Sequence, residues 1–348
     1  MTPAELSRTV LRSVRGAVEE QELSVSVPAR IVVQPPPRPG CGDYASNVAL
    51  QLARQAGRPA REVAEILRKR LSGSAGIARV EIAGPGFLNF TLGDGAQAAL
   101  VREVLARGES YGGAAAGQGP VAAGPVAGAA GDARAAVVAE ALARIDAAAG
   151  LGGRRAGEQP VLAPARDDLA TLVARLGADE ARWVLLRPAA QDPVRVPERP
   201  VQRESNPRFR VQYAYARARA LGRHARELGF GSEPGDVGAP VRGQAADDGS
   251  SDGAGSAAQA LKSFHTLLAT YPSVVESAAR LRAPDRVVRH LEATADAFFR
   301  WHDDYPPLPV GEQKPLAVHR ARLALAEAGR TVLANGLRLL GISAPEHL

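Results

Sequence analysis

Two stretches almost without large side chains, Gly112 to Gly131 and Gly229 to Gln259, limit what this chain can fold into. The first is nearly all Gly, Ala, Pro and Val and reads as a linker. The second, GFGSEPGDVGAPVRGQAADDGSSDGAGSAAQ, has too little apolar surface to bury, which predicts a disordered insert over 229–259. Cores must therefore come from the blocks before, between and after them. With 348 residues and 45% apolar content there is material for two or three ordinary domains.

Only 4% of the residues are aromatic, and the net charge is +6. Among the basic residues only Lys69, Lys262 and Lys314 are lysines, the rest being arginines. Two readings fit this excess: a compositional bias that turns Lys into Arg and fills loops with Ala and Gly, or a surface that attracts nucleic-acid phosphates. The single cysteine, Cys41, excludes an intrachain disulfide framework and a cysteine-based zinc site. No apolar run is long enough to span a bilayer and no signal-peptide pattern opens the chain, so a cytoplasmic protein without a membrane partner is expected.

The first block opens on a T-x-x-E capping box, Thr2 to Glu5, with Pro3 at the first helical position. Leu6, Val10, Leu11, Val14 and Val18 then recur at helical spacing. Val25 to Val33, β-branched and partly alternating, predicts a strand ended by QPPPRPG. Helices are expected over Asn47 to Ala56 and Pro59 to Leu71, and two strands over Ile77 to Ile82 and Phe87 to Leu92 about the turn Ala83-Gly84-Pro85-Gly86. The sum is a small α+β domain.

Two strings in this block, GDYASNVALQLARQAGRPAREVAEIL from Gly42 and VEIAGPGFLNFTL from Val80, resemble the N-terminal additional domain of arginyl-tRNA synthetases. The resemblance implies a domain over 1–110 that binds the tRNA elbow, with Phe87 and Asn89 at the places that touch the D-loop. An aromatic face can stack on an unpaired base while an amide reads its edge. Alternatively Phe87 is a packed strand residue and Asn89 its solvent-facing neighbour, although alternation puts both on one face.

The middle block, 111–200, holds the helix ARAAVVAEALARIDAAA from Ala133. It resembles the helix that follows the synthetases' adenylate-forming HxGH signature, and that alignment puts Ala129, Ala130, Gly131 and Asp132 in place of the signature. Both imidazoles that would donate to the ATP phosphates are missing, and a carboxylate at Asp132 would repel them. Independently of any alignment, the first histidine of the chain is His224. Arg154-Arg155-Ala156-Gly157 resembles the family's KMSKRAG-like loop, and DDLATLVARLGADEARWVLLR from Asp167 the helices after it. Most of the Rossmann-type sheet is absent, so the block is expected to be a short helical relic joining the two outer domains. No GxxxxGKS/T, HExxH or GxSxG motif offers another active site, and no catalytic residue, metal or cofactor is expected. His302, Asp303 and Asp304 read as a wet loop before PPLP.

From 201 the chain reads as an all-α bundle. A first helix starts at Asn206-Pro207 and presents Val211, Tyr215 and Ala218 on one face. A second carries Leu261, Phe264, Leu267, Leu268 and Tyr271, is punctuated at Pro272, and continues to Leu281. A third from Pro284 puts Val287, Val288, Leu291, Phe298 and Phe299 inward, and a last runs from Pro315 to a stop at Gly341. NPRFRVQYAYARARAL, HLEATADAFFRWHDDYPPL and RLALAEAGRTVLANGLRLLGISAPEHL resemble the synthetases' DALR anticodon-binding domain, expected over 201–348. Gln212, Tyr213 and Arg217 keep the family pattern, whereas Phe209, Arg210, Tyr215, His347 and Leu348 depart from it. The resemblance implies an anticodon-side surface of Phe209, Arg210, Gln212, Tyr213, Arg217 and His347, where Arg210 could hold a phosphate or stack on a base. The expected protein is a noncatalytic paralogue of arginyl-tRNA synthetase that binds tRNA, with a translation-related or synthetase protein as a further partner. The rival expectation is a protein-interaction scaffold or regulator that reuses the bundle without RNA, and a third is residual arginine–tRNA ligase activity.

Overall fold

The helix foreseen at the N-terminus begins where its capping box puts it. Thr2 Oγ1 accepts from Glu5 N at 3.3 Å, Glu5 Oε2 accepts from Thr2 N at 2.8 Å, and helix α1 follows over Pro3–Glu19. The computed structural model describes residues 1–36, 38, 41–93, 95–113, 132–151, 159–199, 203, 205–238 and 251–346, with the helix path alone over 251–254. The chain forms two units, Met1–Leu100 and Val101–Leu348.

In the first unit, β1 (Tyr44–Ser46), β2 (Ile77–Ala83) and β3 (Phe87–Leu92) make an antiparallel sheet in the order β1-β3-β2. Helices α2 (Val48–Ala56) and α3 (Ala60–Leu71) follow β1, and α3 packs on α1 and on the sheet. The core is Leu6, Val10, Val14, Val63, Leu67, Leu88 and Phe90, all fully buried. The strand expected over Val25 to Val33 does not form; the segment touches the sheet through one bridge just beyond it, Gln34 to Ala45. Pro28 lacks an N–H donor, and hydroxyls replace sheet neighbours: Ser7 Oγ donates to Ile31 O at 2.5 Å and Ser46 Oγ to Val32 O at 2.9 Å.

The division between units falls inside α4 (Ala96–Arg107), ahead of the boundary expected near residue 110. Nor is the middle block a separate connector. Helices α5 (Ala133–Ala148), α6 (Leu169–Leu176) and α7 (Ala178–Leu186) belong to the second unit with α8 (Pro207–Glu227), α9 (Ser251–Leu281), α10 (Asp285–Asp304) and α11 (Ala317–Leu340). Arg134 ties this block together. It is 1% exposed, and its guanidinium donates to the carbonyls of Ala163, Leu185, Pro188, Ala189, Ala190 and Asp192 at 2.8–3.3 Å. Burial pushes its pKa down, and Asp132, Asp192 and Asp285 partly offset the effect. A buried ion pair, Asp146 with Arg282 at 2.7 Å to both carboxylate oxygens, fastens the end of α5 to the end of α9.

Helix α9 passes straight through Pro272 instead of being punctuated there. Proline has no N–H to offer the carbonyl four residues back, which is that of Leu268. The Tyr111 hydroxyl takes that place, donating to Leu268 O at 2.9 Å in a buried setting, and Asn335 Nδ2 holds the Tyr111 carbonyl at 3.0 Å. On α11, Gly329 and Gly336 permit close packing: a Cβ there would lie 2.5 Å from Phe264 and 2.4 Å from Leu291.

The disordered insert expected over 229–259 is contradicted at both ends. Phe230 and Val237 are 4% and 3% exposed, and Glu233 N donates to Arg320 O at 3.1 Å, so 229–238 lies against α11. At the far end α9 starts at Ser251, ahead of its first buried apolar residue, Leu261, because extending an existing helix costs little. Residues 239–250 lie outside the described residues. His302, Asp303 and Asp304 form the last turn of α10 and not a loop.

Two substitutions test these joints. Arg134→Met leaves six carbonyls without their common donor and is expected to lower unfolding stability by about 3 kcal/mol or more, read from urea denaturation. Tyr111→Phe is expected to cost about 1–2 kcal/mol in the wild-type background and clearly less with Pro272→Ala, which restores the helical donor to Leu268. Equal losses in both backgrounds would refute the pairing of hydroxyl and proline.

Candidate nucleic-acid interface

In the first unit β3 is the central strand, and its residues 87, 89 and 91 share the face away from Leu88 and Phe90. Phe87 is 41% exposed and Asn89 is 8% exposed. The two differ in depth because Asn89 lies between Ala45 and Glu81 in mid-sheet, whereas Phe87 pairs with Ala83 beyond the last β1 partner, Ser46 opposite Leu88. Neither the packed-phenylalanine reading nor the solvent-facing asparagine reading describes this arrangement. The Asn89 side chain has no hydrogen-bond partner among the described residues. Gly86 sets the tight turn before Phe87: its φ is +143°, and a Cβ would meet Ala60 O at 2.9 Å. Arg79, opposite Thr91 on the same face, pairs with Glu81 at 3.5 Å.

The second candidate surface is built on α8. Asn206 caps it, its side chain accepting from Arg208 N at 2.9 Å and from Phe209 N at 3.4 Å, with Pro207 first in the helix. Beneath this cap runs an interior polar chain. Asn206 Nδ2 and Arg208 Nε donate to Glu180 Oε2 at 2.8 and 2.5 Å, and Arg208 also donates to the Gln212 amide oxygen. Gln212 Nε2 donates to Asp179 Oδ2 and Ser343 O, both at 2.9 Å. Gln212 is 1% exposed, so this expected contact residue is a structural one that fixes α8 to α7 and the C-terminal segment. Tyr215 is also interior, at 6% exposed.

With those residues facing inward, Phe209, Arg210, Tyr213 and Arg217 face outward. Phe209 stacks on Tyr213 with ring centroids 6.0 Å apart, and Tyr213 on Phe299 of α10 at 5.4 Å. Arg210 lies over the Phe299 ring at 4.9 Å and pairs through Nε with Asp296 at 2.5 Å. Arg217, exposed, is close enough to His302 to help burial lower that imidazole's pKa, against the opposing influence of Asp303. His347 lies outside the described residues.

Phe299 is the residue sequence reasoning misplaced. Adjacent helical residues are about 100° apart, so Phe298 and Phe299 cannot both point inward. Phe298 is fully buried in edge contact with Phe264 at 5.9 Å, and half-buried Phe299 completes the outer row of rings. At the place aligned with the adenylation signature, Asp132 caps α5, accepting from Arg134 N at 3.0 Å and Ala135 N at 3.4 Å. The helix N-terminus thus carries its own carboxylate. Ala129, Ala130, Gly131 and the Arg154 to Gly157 loop lie outside the described residues.

Residues 8–92 match the arginyl tRNA synthetase N terminal domain, and residues 211–348 the DALR anticodon binding domain. The chain is 50% identical over 159 residues to an arginine–tRNA ligase of Frankia alni, covering 43% of this chain and 28% of the ligase. Identity to the arginine–tRNA ligase of Paenarthrobacter aurescens is 39% over 183 residues, covering 52% of this chain and 30% of the ligase. The chain thus spans less than a third of the length of these curated relatives. Among solved structures, a Thermus thermophilus arginyl-tRNA synthetase aligns over 100% of both chains with a TM-score of 0.62 and 13% identity, a likeness of fold. Residues 93–210 are all that separates the two matched domains. This chain is an arginyl-tRNA synthetase-related protein that carries the family's N-terminal and anticodon-binding domains and lacks most of the catalytic domain between them.

Proposed function

We propose that the chain is a noncatalytic tRNA-binding protein, with arginine tRNA first among its ligands. The observation that carries this reading is the row Phe209–Tyr213–Phe299, half-buried on a surface that also bears Arg210 and Arg217. Stacked rings offer unpaired bases a π-face, and the flanking guanidiniums offer their phosphates a charge. The Asp296 pair already engages Arg210, so its role would be to position the Phe299 ring and to exchange Asp296 for a phosphate when RNA arrives. In the first unit, exposed Phe87 would stack at the tRNA elbow, and Asn89 would offer its amide to a base edge. Two weak contacts on one chain reinforce each other, since binding at one raises the effective concentration at the other. The noncatalytic part of the reading rests on the absence of any histidine before His224 and on the Asp132 carboxylate at the head of α5, where phosphate-binding imidazoles would be needed. Binding of this kind suits tRNA buffering, regulation, or service to a separate synthetase in the cytoplasm.

Gel-shift of total tRNA at increasing salt is expected to show a complex that weakens steeply, with a log–log slope of roughly −0.7 to −0.9 per phosphate contacted. Phe209→Ala with Tyr213→Ala is expected to weaken it by about tenfold or more, from a stacking loss of about 1–3 kcal/mol per base, measured below the lowered thermal midpoint that the loss of two half-buried rings brings. No complex at any salt would sink the reading in favour of a protein-binding scaffold. Arginine-dependent exchange of pyrophosphate into ATP, measured with tRNA present, is expected to stay at background. Turnover above it would show that the relic still activates the amino acid.

A further inference from the structure

Further along α8 than the aromatic row, and turned away from Arg210 and Arg217, lies a cavity of about 260 Å³ within the second unit. At about 100° per residue, positions 219, 222, 223 and 226 lie roughly opposite positions 210, 213 and 217. The remaining walls come from α11 and from the 229–238 segment, whose Phe230 is buried beside the cavity. Four arginines line it, Arg219, Arg223, Arg226 and Arg330, against one acidic residue, Glu327. Several of these groups already have partners: Arg219 pairs with Glu346 at 2.7 Å, Arg226 Nε donates to Gly222 O at 3.2 Å, and Glu327 Oε2 accepts from Ser232 Oγ at 2.6 Å. Arg223 Nη1, by contrast, is buried and has no hydrogen-bond partner among the described residues. Arg330 likewise has no ion pair among them.

Surplus positive charge at a concave site attracts an anion, and neither Arg223 nor Arg330 has an ion pair among the described residues to neutralise it. The planar fork of arginine matches two oxygens of a phosphate. The volume falls below the roughly 300–1,000 Å³ of pockets that enclose whole small molecules, and it suits a phosphate with the few atoms it esterifies. We propose that this cavity is a phosphate-binding subsite, with Arg223 and Arg330 as the principal donors and Glu327 as the group that keeps its affinity moderate. The phosphate comes either from an RNA backbone or from a free phosphorylated compound. The assignment goes beyond tRNA recognition by the aromatic row and stands or falls separately from it.

The test is thermal unfolding of the full chain in sodium phosphate against sodium chloride at matched ionic strength. Phosphate is expected to raise the midpoint saturably, by about 2–4 °C beyond chloride. Arg223→Gln with Arg330→Gln is expected to abolish that difference. Glu327→Gln, which keeps an acceptor for Ser232, is expected to tighten phosphate binding severalfold, and this measurement holds even if the double variant folds poorly. The absence of a phosphate-specific shift in the wild type, an equal shift in the double variant, or unchanged binding in Glu327→Gln would each overturn the proposal. The source of the phosphate is read from RNA gel-shifts of the same variants. A salt slope smaller by about one per arginine removed assigns an RNA phosphate, and an unchanged slope beside a lost phosphate shift assigns a free compound. Failure of the chain to bind tRNA would leave the phosphate titration as informative as before.

Discussion

One arginine inside the second unit holds together a stretch of chain that no sheet supports. Arg134 gathers six carbonyls from a segment with little regular structure, Ala163 and 185–192, and anchors them to the first turn of α5. Buried carbonyls need donors, and a segment mostly outside helices and strands has few backbone neighbours to supply them. A guanidinium carries five N–H donors in a rigid fork, so one side chain can satisfy several at once. The remnant of the catalytic region therefore packs as part of the helical unit, with the Asp146–Arg282 pair as a second fastening.

That packing decides what α8 can present. Asn206, Glu180, Arg208, Gln212, Asp179 and Ser343 form a continuous chain of hydrogen bonds, buried at Glu180, Arg208 and Gln212 and reaching the surface at Ser343, between helix α7, the start of α8 and the C-terminal segment. Buried polar groups of this kind are costly to leave half-satisfied, so the chain sets the rotation of α8 about its axis. Phe209, Tyr213 and Arg217 face outward as a result, while Arg219 and Arg223 turn toward α11. The middle block thus fixes the helix that carries the candidate RNA surface.

Much of the fold was legible because its signals are local. The Thr2 box, the Asn206-Pro207 start, the Gly341 stop with φ +69° and the hairpin around Gly84 to Gly86 each act within a turn or two of chain. The expected strand over Val25 to Val33 failed because β-branching favours extended backbone without supplying an edge to pair with. The expected insert failed at its start because Phe230 and Val237, sparse in the sequence, found a groove on α11. Half of the candidate site was legible for the same reason. Phe209, Tyr213, Arg217 and Phe87 lie on exposed or half-exposed positions, but Gln212, equally conspicuous in the motif, is buried, and Phe299 joins the row from a helix some ninety residues away.

By itself the sequence determined most of the helices and several of their caps, the two end domains and the lack of any histidine where an adenylation signature would stand. These follow from side-chain chemistry and spacing along one chain. Only the tertiary structure decided that the relic belongs to the bundle, that Tyr111 replaces the donor Pro272 lacks, and that four arginines from two helices surround one cavity. Such features depend on which residues distant in sequence share a desolvated space, and no local periodicity encodes that.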